Sequence, residues 1–590
     1  MLYMKHFKRL LIVLLCLMPF LASADEISLH QARQIAEEFF SGQPLTRASD
    51  VTLEMVWDGS DLQTKTSGGG AAFYVFDNVS GPGFVIVAGN DVAKPILGYS
   101  FENEFVMENM PPNVRAWMEG LKDAISRASR SYSFSGVTKA SVGDVVVKHE
   151  TAEWDQGYPY NVQCPADGGY RSVTGCVATA IAIVLRYHQW PEAGTGTIPA
   201  YTTRTKGIEV PEIALGAEYD WSRMPLKYDG SGWDESSILA VSRLMADCGA
   251  MVKMDYSSDE SGAYDMEIPT ALSTYMDYDG SIGWYRRGVY SDSQWHEMLV
   301  SELQNNGPII YTGQAEGGHA FVLDGYTTER YYSINWGWSG YFNGYFTLDA
   351  LNPEGQGTGG YDGGYNSWQA AILNVKKDAG GTEPVRAVIH AYEDIYGLVA
   401  NTTDFRKNVP FTVSTGLIVN ASHVRYDGFM GFAHADRNDV VKEVPIYYQV
   451  SLDMNYGHFF HDLEITLQAD IEIGDKLIVV VWDADAQKWI KALAEKEEGC
   501  VDEIPLRDRY TIEESTAFRY STETKTITLA VKDGVSAEVR DSSGSVVRGV
   551  VRTDGTEIQV STSLLEAGSY VLVLTKGNEV KEVTFIVGAK

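Results

Sequence analysis

Residues 172–190 read SVTGCVATAIAIVLRYHQW, and the place of Cys176 in that stretch decides the fold of the middle of the chain. A Thr-Gly pair precedes the cysteine, and a run of small and apolar residues from Val177 to Leu185 follows it. The run predicts a buried helix that opens at the cysteine. A cysteine at a helix N-terminus meets unpaired backbone N–H groups and the positive end of the helix dipole, and both favour the thiolate. On this stretch alone, a buried cysteine acting as a small hydrophobe explains the residues equally well.

A second stretch separates the two readings. Residues 316–346, EGGHAFVLDGYTTERYYSINWGWSGYFNGYF, predict a strand opening at His319 and a return strand ending at Asn335. The start of one antiparallel strand lies beside the end of the next, so His319 and Asn335 are expected to be neighbours. An imidazole is then available to pair with the thiolate, an amide to fix its tautomer, and Trp336 to cover their hydrogen bond. In a loop-like setting upstream, Gln156 offers a side-chain amide that suits a developing oxyanion. As a structural hairpin with a surface histidine, the second stretch explains its aromatics but not the order of His, Asn and Trp.

The bulk composition sets limits. At 590 residues the chain is too long for one core, so several domains are expected. Its 34 Tyr, 13 Trp and 57 Gly favour strand- and turn-rich architecture. A formal net charge of −32 argues against nucleic acid and anionic membranes as partners. Residues 1–24 have the form of a signal peptide. Lys5, Lys8 and Arg9 precede the apolar stretch Leu10–Leu21, and Ala22-Ser23-Ala24 offers a cleavage site. After its removal, Cys164, Cys176, Cys248 and Cys500 remain, too few for a disulfide framework, though a single bridge stays open. No cysteine or histidine cluster has metal spacing. His458 and His461 form a pair without a third ligand, and no cofactor is called for.

Along the chain, SLHQARQIAEEFF (28–40) predicts a helix capped by Ser28, and AFYVF and GFVIVAG predict a hairpin about a Gly-Pro turn. PPNVRAWMEGLKDAISRAS (111–129) predicts a second amphipathic helix, and a polar Ser/Gly-rich linker follows. Past the Gly/Pro linker at 374–387 the pattern turns to alternating β segments, which suggest two β-sandwiches.

WDQGYPYN, TGCVATAIAIVLRYHQWP, DCGAMVKMDYSSDESGA, GGHAFVLDGY, INWGWSGYFNGYF and NPEGQGTGGYDGGYNSWQAAI occur in this order over about 230 residues. Together they resemble the streptopain family of secreted bacterial cysteine peptidases. The resemblance implies an α+β chain: a papain-like catalytic domain at 140–377 preceded by an α+β inhibitory propeptide at 25–139. A β-sandwich at 385–508 and a second at 511–590 lie outside it; the last is similar to C-terminal sorting domains read by an outer-membrane secretion machinery. Position by position, the resemblance makes Cys176 the nucleophile, His319 the general base and acid, Gln156 the oxyanion donor, Asn335 the orienting residue and Trp336 the shield. It implies a mobile loop at Gly355–Gly364, an apolar pocket partly built by DYSSDESGA, and maturation after Lys139. The substrates would be proteins or peptides, the propeptide an intramolecular inhibitor, and the location outside the cell or at its surface. Two other readings stay open here: a catalytically dead adhesin or host-protein binder, and a transglutaminase-like acyl transferase.

Overall fold

The computed structural model describes residues 26–42, 51–59, 71–108, 110–131, 141–230, 233–313, 319–348, 369–472, 474–506, 519–521, 525–530, 535–541, 545–554, 557–566, 568–576 and 579–587. The expected signal peptide, Lys139 and the Gly355–Gly364 segment lie outside them.

The N-terminal helix α1 (Leu29–Ser41) starts where a capping box forms: the Ser28 hydroxyl accepts from the Gln31 backbone and the Gln31 side chain reaches back to the Ser28 backbone N–H. Ala32, Ala36, Phe39 and Phe40 form its buried stripe. A meander follows of β1 (Leu53–Trp57), β2 (Phe73–Asn78), β3 (Phe84–Ala88) and β4 (Ile96–Ser100), each antiparallel to its neighbour. The hairpin expected from the sequence is β2–β3, with Phe73 opposite Ala88. Helix α2 (Pro112–Ser131) starts at the expected Pro-Pro pair, where a missing N–H costs nothing.

The middle of the chain is a helical layer against a sheet. Its helices are α3 (Cys176–His188), α4 (Glu235–Met251), α5 (Ile268–Tyr275) and α6 (Asp292–Asn305). Its strands are β5 (Val145–Lys148), β6 (Gly283–Arg286), β7 (Ile309–Gly313), β8 (His319–Thr327), β9 (Tyr331–Asn335), β10 (Gly344–Thr347) and β11 (Ala370–Leu373). Nine consecutive residues of α3, Val177–Leu185, are buried, so this helix is enclosed on all sides. It packs on β8 through a core that includes Ala178, Ile181, Ala320 and Val322.

The N-terminal meander and the middle sheet are one sheet of eleven strands. Ten follow the order β1-β2-β3-β4-β10-β9-β8-β7-β11-β6, and β5 pairs with β8. The joint is β4 against β10, with Tyr99 opposite Tyr345 and Gly98 opposite Phe346. A Cβ on Gly98 would stand 2.5 Å from Phe346 Cδ1, so the approach of these strands requires glycine. Aromatic side chains seal the seam: Tyr99 stacks on Tyr345 at 5.3 Å and Phe105 meets Phe342 edge-on at 5.2 Å. Burying each such ring contributes about 1.5–3 kcal/mol, which makes the seam strong.

Strands after residue 386 form two β-sandwiches. The first packs sheets that include 411–415, 426–435 and 476–483 around Phe411, Phe432, Leu477 and Val479. Arg286 meets Glu495 at 3.1 Å and His423 meets Glu383 at 2.7 Å where this unit adjoins the middle of the chain. The second places two four-stranded sheets around Val539, Ile558 and Leu572. No described helix is long and apolar enough to cross a membrane. All four described cysteines are free thiols, so the bridge left open by the sequence is not formed. His458 packs edge-on against Phe460 at 4.9 Å, and His461 lies 3.4 Å from Asp462; no metal cluster occurs among the described residues.

Candidate active site

A cavity of about 340 Å³ opens at the N-terminus of α3, lined by Cys176, Gln156 and His319 among others. Gly175 sets the start of the helix. Its φ of +85° favours glycine, and a Cβ there would lie 2.7 Å from Met254 Sδ and 2.8 Å from the Ser261 carbonyl oxygen. Cys176 is therefore delivered by a backbone turn that no larger residue makes without moving Met254. The Ala320 N–H points at Cys176 Sγ from 3.5 Å, so the residue after His319 touches the thiol directly.

Gln156 is buried and held by its backbone. Its N–H donates to Asp155 Oδ1 at 2.6 Å, and its carbonyl accepts from Thr174 N–H at 3.0 Å. The second bond ties it to the loop that leads into Cys176. Asp155 Oδ2 also accepts from the Ser339 hydroxyl at 2.8 Å, and Trp154 O accepts from Ser339 N–H at 2.9 Å. The 154–156 segment thereby clamps the turn after β9 next to the cavity.

Asn335 departs from expectation. The strand register places it opposite Val322, not beside His319. Its amide nitrogen donates to Thr151 Oγ1 at 3.0 Å and to Ala152 O at 2.9 Å, while its oxygen accepts from Gly337 N–H at 3.1 Å. Among the described residues these are the partners of the Asn335 amide, and His319 is not one of them. The sequence argument assumed that the strand ends align; the return strand is shorter, and β9 ends at Asn335 opposite Val322, three residues short of His319 where β8 begins. Thr151 is itself fixed by Asp324, which also meets Lys148 at 2.6 Å, and a buried polar chain results.

Trp336 is also displaced from its expected role. Its ring is 1% exposed and packs on Phe321 at 4.9 Å, Phe346 at 5.4 Å and Trp117 at 5.9 Å. Its indole N–H donates to Phe342 O at 3.1 Å. It is a core residue of the seam, and Trp338 is the tryptophan that lines the cavity. A glycine between the two indoles turns the chain, and nothing in the sequence says which of them faces the cleft.

The sequence also gave no sign of Pro112 and Asn113. Pro112, the first residue of α2, lines the cavity. Asn113 is 1% exposed, and its amide donates to the Trp336 carbonyl at 2.9 Å. Trp117, one turn on, packs edge-on against Phe321 at 5.9 Å. The N-terminal unit thus touches the site through its helix as well as through the shared sheet.

Electrostatics in this cleft oppose the thiolate expected from the helix terminus. Burial pushes the Cys176 thiol up; the N–H groups of Ala320, Val177 and Cys176 pull the other way without reversing it, and the Glu260 carboxylate adds to the rise. Burial lowers the His319 imidazole, with Glu260 opposing. Both shifts favour neutral thiol and neutral imidazole. Burial also raises the Cys164 and Cys500 thiols, each to about 12, which marks them as inert. A thiol, an imidazole and an amide donor on one cavity form a set suited to acyl transfer.

Residues 154–346 match the Peptidase C10 family, and residues 24–125 match the Spi protease inhibitor family. The thiol protease/hemagglutinin PrtT of Porphyromonas gingivalis is 32% identical over 420 residues, which cover 67% of this chain and 46% of that protein. Streptopain of Streptococcus pyogenes serotype M1 is 34% identical over 351 residues, 56% of this chain and 85% of that protein. Among solved structures, a prointerpain A fragment from Prevotella intermedia is 30% identical, with a TM-score of 0.46, covering 55% of this chain and 99% of the fragment. The chain spans most of streptopain but under half of PrtT. With its α+β architecture and a Spi-type inhibitor unit joined to the catalytic sheet, the chain belongs to the peptidase C10 family of cysteine peptidases.

Proposed function

We propose that this chain is an exported cysteine endopeptidase made as a zymogen, in which Cys176 attacks the scissile carbonyl and His319 carries the proton. In this reading the thiolate forms an acyl-enzyme, and His319 protonates the leaving amine and then activates water for deacylation. Gln156 and the Cys176 backbone N–H receive the oxyanion. Asn335 and Trp336 act through the fold: Asn335 fixes the turn after β9, and Trp336 supports the wall behind His319. The signal peptide at 1–24, propeptide at 25–139, catalytic domain at 140–377 and β-sandwiches at 385–508 and 511–590 belong to the same reading. So do maturation after Lys139, an apolar pocket for the residue before the scissile one, and a role for outer-membrane secretion machinery.

The observation that carries it is convergence. Cys176, His319 and Gln156, distant in sequence, line one cavity, and Pro112 of the inhibitor unit lines the same one. In this reading latency has a physical basis: Pro112 of the docked helix narrows the cavity, and burial favours the uncharged, unreactive thiol.

Mass spectrometry of wild-type and Cys176→Ala protein, incubated with an unfolded protein substrate and reductant, tests this. The wild type is expected to cut the substrate and to lose its N-terminal unit near residue 139, while the variant does neither. Two intact, inactive proteins would overturn the reading. Isopeptide products with an added amine, in place of new N-termini, would indicate acyl transfer.

A further inference from the structure

Beyond the nucleophile, the cavity has a charged lip. Asp259, Glu260 and Asp265 line it, together with a single cationic side chain, Arg204. That cation is engaged: Arg204 Nε lies 3.9 Å from Asp255 Oδ2, and its guanidinium sits 4.3 Å over the Tyr264 ring. Asp265 is engaged as well, accepting from the Thr312 hydroxyl at 2.6 Å. Asp259 and Glu260 are different. Their backbone N–H groups are fixed by Ser257 Oγ at 3.2 and 3.5 Å, both residues are exposed, and among the described residues neither carboxylate has a cationic partner. Glu260 lines the same cavity as Cys176 and His319, and its negative charge acts on both.

The chain itself contains a complement to that lip. Residues 124–143, AISRASRSYSFSGVTKASVG, contain Arg127, Arg130 and Lys139 and no Asp or Glu. Residues 405–426 are likewise free of Asp and Glu, with Arg406, Lys407 and Arg425, but they lie in the β region beyond the cleft. It also joins the inhibitor unit to the catalytic part, where maturation must cut.

We infer that Asp259 and Glu260 select basic residues in the polypeptide entering the cleft, and that the 124–143 segment is the first substrate so selected. The inference rests on the reading of Cys176 as nucleophile. Uncompensated carboxylates at a cleft attract a Lys or Arg side chain and disfavour a Glu by like-charge repulsion. Because the lip is exposed, the effect is screened by salt, whereas an apolar pocket preference is not. The two preferences coexist, one for the residue filling the pocket and one for residues passing the lip.

Internally quenched peptides of one sequence, with Lys, Gln or Glu placed in turn at three positions on either side of the bond, test the inference on the matured enzyme. At one position or more, kcat/KM for Lys is expected to exceed that for Glu by about tenfold or more at low salt, a ratio that shrinks at high salt. In the Asp259→Asn/Glu260→Gln double variant that ratio is expected to fall toward one, whatever the absolute rate. In the full-length protein, changing Arg127, Arg130 and Lys139 together to Gln is expected to slow maturation severalfold. Cleavage of the Gln peptide with no charge preference at any position would overturn this inference and leave the peptidase reading intact. No cleavage of any peptide, together with no preferential alkylation of Cys176, would overturn both.

Discussion

Replacing Asn113 with Ala tests how the inhibitor unit holds the site closed. The side chain is 1% exposed, and its amide donates to the Trp336 carbonyl at 2.9 Å across the seam. Its oxygen also accepts from Val114 N–H at 2.9 Å at the start of α2. Alanine removes both bonds and strands a buried carbonyl, at a cost of about 1–3 kcal/mol. The bond to Trp336 exists only while the unit is docked, so most of that cost shifts the docking equilibrium. A loss of about 1.4–2.8 kcal/mol raises the open fraction roughly 10- to 100-fold. If maturation proceeds through the open form, the full-length Asn113→Ala protein should mature faster by the same factor while opening remains rare. Gel densitometry of the precursor over time, after transfer into reductant, reads this rate. Thermal unfolding of the same variant in a Cys176→Ala background shows whether the precursor is still folded. A folded variant that matures at the wild-type rate would refute the reasoning, since the buried bond would then contribute nothing to closure.

Three further outcomes are expected. Gln156→Ala should lower kcat of the matured enzyme by about 10²–10³ with little change in KM, the signature of a lost oxyanion donor; a change confined to KM contradicts that role. Gly175→Ala should fold yet lose most activity, because its Cβ would meet Met254 Sδ at 2.7 Å and push Cys176 off its position; normal peptide turnover by this variant would show that the turn tolerates a side chain. Asp247 is buried, and desolvation raises its carboxyl from 3.8 to about 6 against a hydrogen bond from Tyr219 and the charge of Arg243. A raised carboxyl favours the folded state while protonated, so its contribution is fully present below about pH 4 and is lost as pH rises through 6. Two pH units correspond to about 3 kcal/mol, so Asp247→Asn should gain melting temperature over wild type between pH 4 and 8; a constant difference across that range would count against the shift.

Much of this was legible in local sequence because local chemistry determines it. Nine buried positions in a row after a Gly-Cys pair fit only an enclosed helix, and the Ser28–Gln31 box marks the start of α1 directly. Other features are set by contacts between distant residues, and they leave no local pattern. The sequence of β4 reads as a strand, but nothing in it names β10, some 245 residues later, as its partner. The spacing of strand ends pairs Asn335 with His319, yet the shorter return strand and the Thr151 hydroxyl and Ala152 carbonyl decide where its amide points. Trp336 and Trp338 are chemically alike and two positions apart, so only packing distinguishes the core residue from the one at the cleft. Asn113 reads as part of a helix start, and its contact with Trp336 becomes visible only once both ends of the seam are in place.

The β4–β10 joint also bears on the order of assembly. Apart from the β4–β10 joint, strands β1–β4 pair with neighbours in sequence, which is the kind of sheet that closes fastest. Synthesised first, it presents the open side of β4 as a template on which β10, and then β9 and β8 with His319, find their register. On the zymogen reading the inhibitor unit would also serve as a folding scaffold, and its removal would leave β10 as a sheet edge. The catalytic part, denatured and returned to native buffer without residues 26–131, should regain activity slowly and in low yield, and supplying that unit should restore both.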